Sequence, residues 1–101
     1  MNKDYCIEAA NWWTSKIKKS EKSDNIHGLE LFSKLLANKI HDISSIYGSL
    51  FISTYHSRSK LLDELANFSG LAANIPNGYQ MNIFLNQVFV YDSVGRLIAS
   101  F

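Results

Sequence analysis

The chain has 101 residues, of which 47% are apolar and 19% charged, and its net charge is +1. That mix fits one domain with a buried core and argues against disorder. The near-neutral balance excludes both the basic footprint of a typical nucleic-acid binder and the acidic excess of a DNA mimic, and the single cysteine, Cys6, excludes an internal disulfide.

No apolar run approaches the roughly 20 residues that cross a membrane. The polar opening from Met1 to Asp4 does not read as a signal peptide. The expected location is therefore cytoplasmic. A domain of this size has little core to spare, and self-association would help it.

The first predicted helix spans about Asp4 to Lys18. Cys6, Ala9, Ala10, Trp13 and Ile17 recur at helical spacing and form its apolar stripe. Asn2 or Lys3 sits near the cap, and Asp4 and Glu8 suit the positive end of the helix dipole. A polar stretch from Ser20 to Asn25 reads as a loop, with Ser23 or Asp24 capping the next helix. That second helix is expected from about Ile26 to Ile43. Its stripe is Leu29, Phe32, Leu36, Ile40 and Ile43, widened by Leu31 and Leu35, and Gly28 is a weak point in its first turn.

Ser44 to Tyr55 is ambiguous. The short apolar run Leu50-Phe51-Ile52 after Gly48 favours an extended segment over a continued helix, although periodicity does not settle so short a run. A third helix comes next, from about Arg58 to Phe68, capped by Ser57. Leu61, Leu62, Leu65 and Phe68 point to the core, Gly70 closes the helix, and Leu71 folds back on its last turn.

After the turn chemistry of Asn74 to Gly78 the period becomes two. Tyr79, Met81, Ile83 and Leu85 alternate with polar residues and Phe84. Val88 to Tyr91 form a second strand after a turn near Asn86-Gln87. Asp92-Ser93-Val94-Gly95 turns the chain into a third, Arg96 to Phe101. Short connections make these strands an antiparallel meander. The expected fold is α+β, with three helices (about 1–72) on one face of a C-terminal three-stranded meander (about 78–101).

No reaction centre emerges. His27, His41 and His56 lack the surroundings of a catalytic triad, no Gly-x-Ser-x-Gly elbow is present, and no metal-ligand spacing occurs. Neither a metal nor a cofactor is expected, and the carboxylates Asp63 and Glu64 read as a solvated helix face. Lys16, Lys18, Lys19 and Lys22 suit a helix terminus as well as a phosphate.

The aromatic residues say more. Trp12 diverges from Trp13 by about 100° and shares a line with Tyr5, Glu8 and Lys16, so it is either the edge of the core or an exposed anchor. If Met81, Ile83 and Leu85 face the helices, Phe84 faces away from them. Phe89, Tyr91 and Phe101 add further aromatic surface in the later strands. A sheet covered on one side should be polar on the other. An aromatic outer face marks an interface, with a homodimer as its simplest user, unless Leu50 to Tyr55 covers it.

The opening helix with Glu8-Ala9-Ala10-Asn11-Trp12-Trp13, the leucine-rich second helix, the third helix closed by Gly70-Leu71 and the β-rich end together resemble small uncharacterised proteins encoded by phages and prophages. The resemblance covers most of the chain. It implies an inhibitor of a host defence complex, such as a CRISPR nuclease, that works by binding it.

The expectation is thus a non-catalytic protein-binding module with Trp12, Tyr5, Lys16, Phe84, Phe89, Tyr91 and Phe101 as partner-binding residues. A nucleic-acid-associated accessory module and a small enzyme subunit are the competing readings.

Overall fold

In the computed structural model, residues 4–20, 25–55, 57–71 and 75–101 are described. The chain is α+β. Helices α1 (Tyr5–Ser20) and α2 (Ile26–Tyr47) are followed by β1 (Ser49–Ser53) and α3 (Lys60–Phe68). Strands β2 (Gln80–Phe84), β3 (Gln87–Tyr91) and β4 (Leu97–Ser100) complete the fold.

The sheet has four strands, not three. They lie in the order β1-β2-β3-β4, all antiparallel. The additional strand comes from the ambiguous segment. Gly48, at φ 81°, stops α2, and its N–H donates to the Ser44 carbonyl. Glycine carries such a positive φ without the steric penalty of a side chain. The next five residues pair with β2, so that Leu50 stands opposite Ile83 and Ile52 opposite Met81. Thr54 extends the junction: its N–H donates to the Tyr79 carbonyl at 2.7 Å, and its hydroxyl accepts from the Tyr79 N–H at 3.1 Å.

The helix caps differ in detail from the sequence expectation. Ser23 and Asp24 lie outside the described residues. Asn25 caps α2, its side chain accepting from the Gly28 N–H at 2.9 Å. Asn2 and Lys3 also lie outside the described residues, and Asp4 accepts from the Cys6 and Ile7 N–H groups at the start of α1. Ser59, not Ser57, caps α3 through the Leu62 N–H. Arg58 lies before the helix, where it grips Asp63 with two hydrogen bonds of 2.8 and 3.0 Å.

At the far end of α3, Gly70 takes φ 74°. Its N–H donates to Asn67 and the Leu71 N–H donates to Ala66, the paired bonds of a Schellman closure. Leu71 is thereby buried.

The core collects one face of each element. Cys6, Ala9, Ala10, Trp13 and Ile17 come from α1, and Leu29, Phe32, Leu36 and Ile40 from α2. Leu62 and Ala66 come from α3. Ile52, Met81, Ile83, Val88 and Val90 come from the sheet. The α1 stripe is as expected.

Three assignments need correction. Phe68 is 75% exposed, because Ala66 and Leu71 close the core at that end of α3. Leu31 is exposed rather than a widening of the α2 stripe. Leu85 is 57% exposed because it belongs to the β2–β3 turn, whose next residue, Asn86, takes φ 64°. No helix among the described residues is long and apolar enough to cross a membrane.

Candidate interaction surfaces

Strand alternation sends every second side chain away from the core. On β2, Met81 and Ile83 are fully buried, while Phe84 is 39% exposed. On β3, Val88 and Val90 are buried, and Phe89 and Tyr91 are half-exposed between them. On β1, Ile52 is buried and Phe51 is 56% exposed.

Register brings the outward aromatics together. Asn82 stands opposite Phe51 on one side and Phe89 on the other. Phe84 lies on the diagonal to both, with ring centroids 5.8 Å from Phe51 and 6.2 Å from Phe89, each pair edge-to-face. Such pairs add about 0.5–1.5 kcal/mol beyond their buried area. Three phenylalanines therefore surround a shorter amide side chain, which accepts a hydrogen bond from Gln80 at 2.9 Å. Ser49, Ser53, Gln87, Tyr91 and Ser100 border the group. None of the four strands carries a charged residue.

The segment Leu50 to Tyr55, the competing explanation for this face, does not cover it. It becomes β1 and enlarges the face by Phe51, a residue that sequence alone did not place in the site. The signal was present in the alternation of Leu50, Phe51 and Ile52 after a chain-reversing glycine.

The other expected site residues lie elsewhere. Phe101 is half-buried against the core. It exchanges both backbone hydrogen bonds with Val88, and directly opposed residues project to the same side of a sheet. Phe101 thus lies on the helix side, away from Phe84 and Phe89.

Tyr5 donates to or accepts from Ser44 Oγ at 2.9 Å, and Ser44 in turn donates to the Ile40 carbonyl at 2.7 Å. This chain of bonds ties the start of α1 to the end of α2. Burial raises the Tyr5 hydroxyl pKa above its ordinary value, against the lowering effect of the Ser44 bond. The Cys6 thiol beside it is likewise raised by burial, which opposes formation of the reactive thiolate.

Trp12 is half-buried at the edge of the core. Its ring meets Trp13 at 5.0 Å and Tyr79 at 5.2 Å, both edge-to-face. Lys16 Nζ sits 5.2 Å from the Trp12 ring centre and 5.5 Å from that of Tyr79, within cation–π range. Trp12 and Lys16 thus form one cluster with Tyr79, distinct from the sheet face. Lys18 is exposed, whereas Lys22 and the Lys19 side chain lie outside the described residues.

An open groove of about 920 Å³ runs along the seam between α1 and α2. Ile7, Asn11, Leu29, Ser33 and Ala37 line it, with Lys18 and Glu30 at one end and Asp4 and His41 at the other. Ser33 donates to Asn11 across the seam at 2.9 Å.

His27 and His41 are exposed, and His41 Nδ1 stands 3.8 Å from the Asp42 carboxylate. His56 lies outside the described residues. Among the described residues no cluster of three His, Cys, Asp or Glu side chains could hold a metal.

No family model, no curated protein and no solved structure matches this chain.

Proposed function

We propose that this chain is a small protein-binding module that acts through the outer face of its sheet and performs no chemistry of its own. One observation carries the reading. Phe51, Phe84 and Phe89 pack together on the side of the sheet away from the core, although half-covered sheets ordinarily turn polar residues to water. Aromatic residues in an uncharged setting suit the desolvated centre of a protein interface. The absence of charge from the strands gives phosphate backbones nothing to bind on this face. The resemblance to phage-encoded proteins makes a host defence complex, such as a CRISPR effector, the first target to try.

The test is capture from a cell lysate with tagged wild-type chain and with Phe84→Glu, each with and without nuclease. Phe84 is 39% exposed and loses its ring pairs with Phe51 and Phe89 in the variant, a cost of about 1–3 kcal/mol, and circular dichroism checks that the variant folds. The expected result is a protein retained after nuclease by the wild type and lost by the variant. Capture that vanishes with nuclease would favour the nucleic-acid reading. Capture indifferent to Phe84 would remove the sheet face from the site.

A further inference from the structure

We infer that β1 pairs along its free edge with β1 of a second copy of this chain, so that two four-stranded sheets join into one continuous antiparallel sheet. The inference goes beyond the partner proposed above and stands independently of it, since it concerns the edge of the sheet and not its outer face.

The hydrogen-bond pattern is the first argument. β1 lies at one end of the strand order, with no described strand beyond it. In its ladder with β2, the Thr54 N–H donates to the Tyr79 carbonyl. The register carries that bonded position on to Ile52 opposite Met81 and Leu50 opposite Ile83, because antiparallel ladders alternate bonded and non-bonded pairs. The backbone N–H and C=O groups of Ser49, Phe51 and Ser53 therefore face away from β2. An extended segment is the complement of such a row of donors and acceptors.

Protection is the second argument. Exposed edges are ordinarily blunted by charge, proline or a bulge. At the opposite edge, the ladder of β4 with β3 has an irregularity between Val90 and Tyr91. β1 keeps an unbroken register with β2 from Ser49 to Ser53 and holds neither charge nor proline.

Self-complementarity is the third, and it selects the occupant. β1 reads Ser-Leu-Phe-Ile-Ser, the same pattern in both directions: hydroxyl, aliphatic, aromatic, aliphatic, hydroxyl. A two-fold interface sets one patch against itself. Antiparallel pairing centred on Phe51 places Phe51 opposite its own copy, Ser49 opposite Ser53 and Leu50 opposite Ile52. This register alone engages all the outward backbone groups of both strands. Leu50, half-buried at the rim of the core, gains Ile52 of the second copy as a neighbour on the helix side. Phe51, 56% exposed, gains its counterpart on the outer side, and the Phe51, Phe84 and Phe89 rings of the two copies run on as one aromatic row.

The experiment is sedimentation equilibrium on the purified full chain at micromolar concentration. Wild type should be a dimer. Ser53→Pro removes an N–H that faces the free edge and spares the ladder with β2; it should weaken the dimer about 10-fold or more. Phe51→Lys and Phe51→Glu each set like charges opposite one another across the two-fold axis and should also weaken it. An equimolar mixture of these two should recover a dimer, because opposite charges then face each other. Circular dichroism checks that each variant folds, and the Phe51 variants carry the test if Ser53→Pro does not.

A monomeric wild type would overturn the inference. So would a dimer indifferent to Ser53→Pro and to both Phe51 variants, which would place the contact elsewhere. A dimer weakened by the Phe51 variants but untouched by Ser53→Pro would put the contact on the outer face and overturn edge pairing. A mixture no tighter than its parts would overturn the register centred on Phe51. None of these readouts uses a lysate protein, so loss or survival of capture by Phe84→Glu decides the binding reading alone.

Discussion

Gly28 looks expendable from its position in the first turn of a helix, where alanine ordinarily gains about 1 kcal/mol. Its surroundings reverse that expectation. A Cβ there would stand 2.8 Å from the Ser69 carbonyl oxygen and 2.7 Å from Asn25 Nδ2. Asn25 caps α2 and also donates to the Gly70 carbonyl at 3.3 Å. The missing side chain therefore lets the start of α2 approach the end of α3. Gly28→Ala should destabilise the fold by about 1–3 kcal/mol, the usual cost of overpacking, visible as a lowered thermal midpoint. A raised midpoint would show that helix propensity outweighs the contact.

Asp92 behaves as a turn device in the same way. Its carboxylate accepts from the Arg96 N–H at 2.9 Å and the Val94 N–H at 3.1 Å. The Arg96 backbone bond, opposed next by burial and reinforced by the Val94 bond and the Arg96 side chain, holds its pKa below the usual carboxylate range. A depressed folded pKa means stability that is present above the unfolded value. It is lost as pH falls through the folded value, so the window opens below about pH 4. Asp92→Asn should therefore unfold at lower urea than wild type at neutral pH. The two curves should converge in acid, and a gap that stays constant with pH would assign the difference to shape alone.

At the scale of elements, the sequence displayed those whose pattern repeats. The α1 stripe was legible because Cys6, Ala9, Ala10, Trp13 and Ile17 recur over three turns. Gly70 and Leu71 announced the end of α3 because a left-handed residue and the apolar one after it are local features. Strand β1 was harder to read. Five residues hold too few periods to declare a type, and they become a strand by pairing with residues about thirty positions later. Phe68 misled because its spacing fits the stripe, while the Schellman closure ends the core with Ala66 and Leu71 on either side of it.

Trp12 needed the fold in the same sense. Its line on α1 is polar, and the return of the chain brings Tyr79 against its ring, beside the neighbouring Trp13. With half of its surface involved, Trp12→Ala should cost about 2 kcal/mol, below the ~3–5 kcal/mol of a fully buried tryptophan. Lys16→Met should cost less than about 1 kcal/mol, since the cation–π contact is partly solvated. Urea unfolding of both variants checks the order. A Trp12→Ala variant as stable as wild type would free the indole for a role outside the fold.

At the scale of the whole molecule, charge and aromatic surface are segregated. Among the described residues the charged ones lie in helices and loops, and the four strands have none. The helices therefore carry the hydrated, charged surface, while the outer sheet face is aromatic and uncharged. This division has a thermodynamic consequence. Association through the sheet should depend on apolar burial and hardly on ionic strength, because salt screens exposed charges and leaves buried apolar contact almost untouched. Anything that binds the native state stabilises it by mass action, so self-association through the sheet would raise the thermal midpoint with protein concentration. Self-association through the sheet would show both signatures together, a concentration-dependent midpoint and its near-identity in low and moderate salt. Phe84→Glu should lose any concentration dependence that arises at the outer face, with its dilute-limit midpoint lowered by the loss of the ring pairs with Phe51 and Phe89. A midpoint that falls steeply with added salt would mean that the charged helices, with the α1–α2 groove between them, carry the association in place of the sheet.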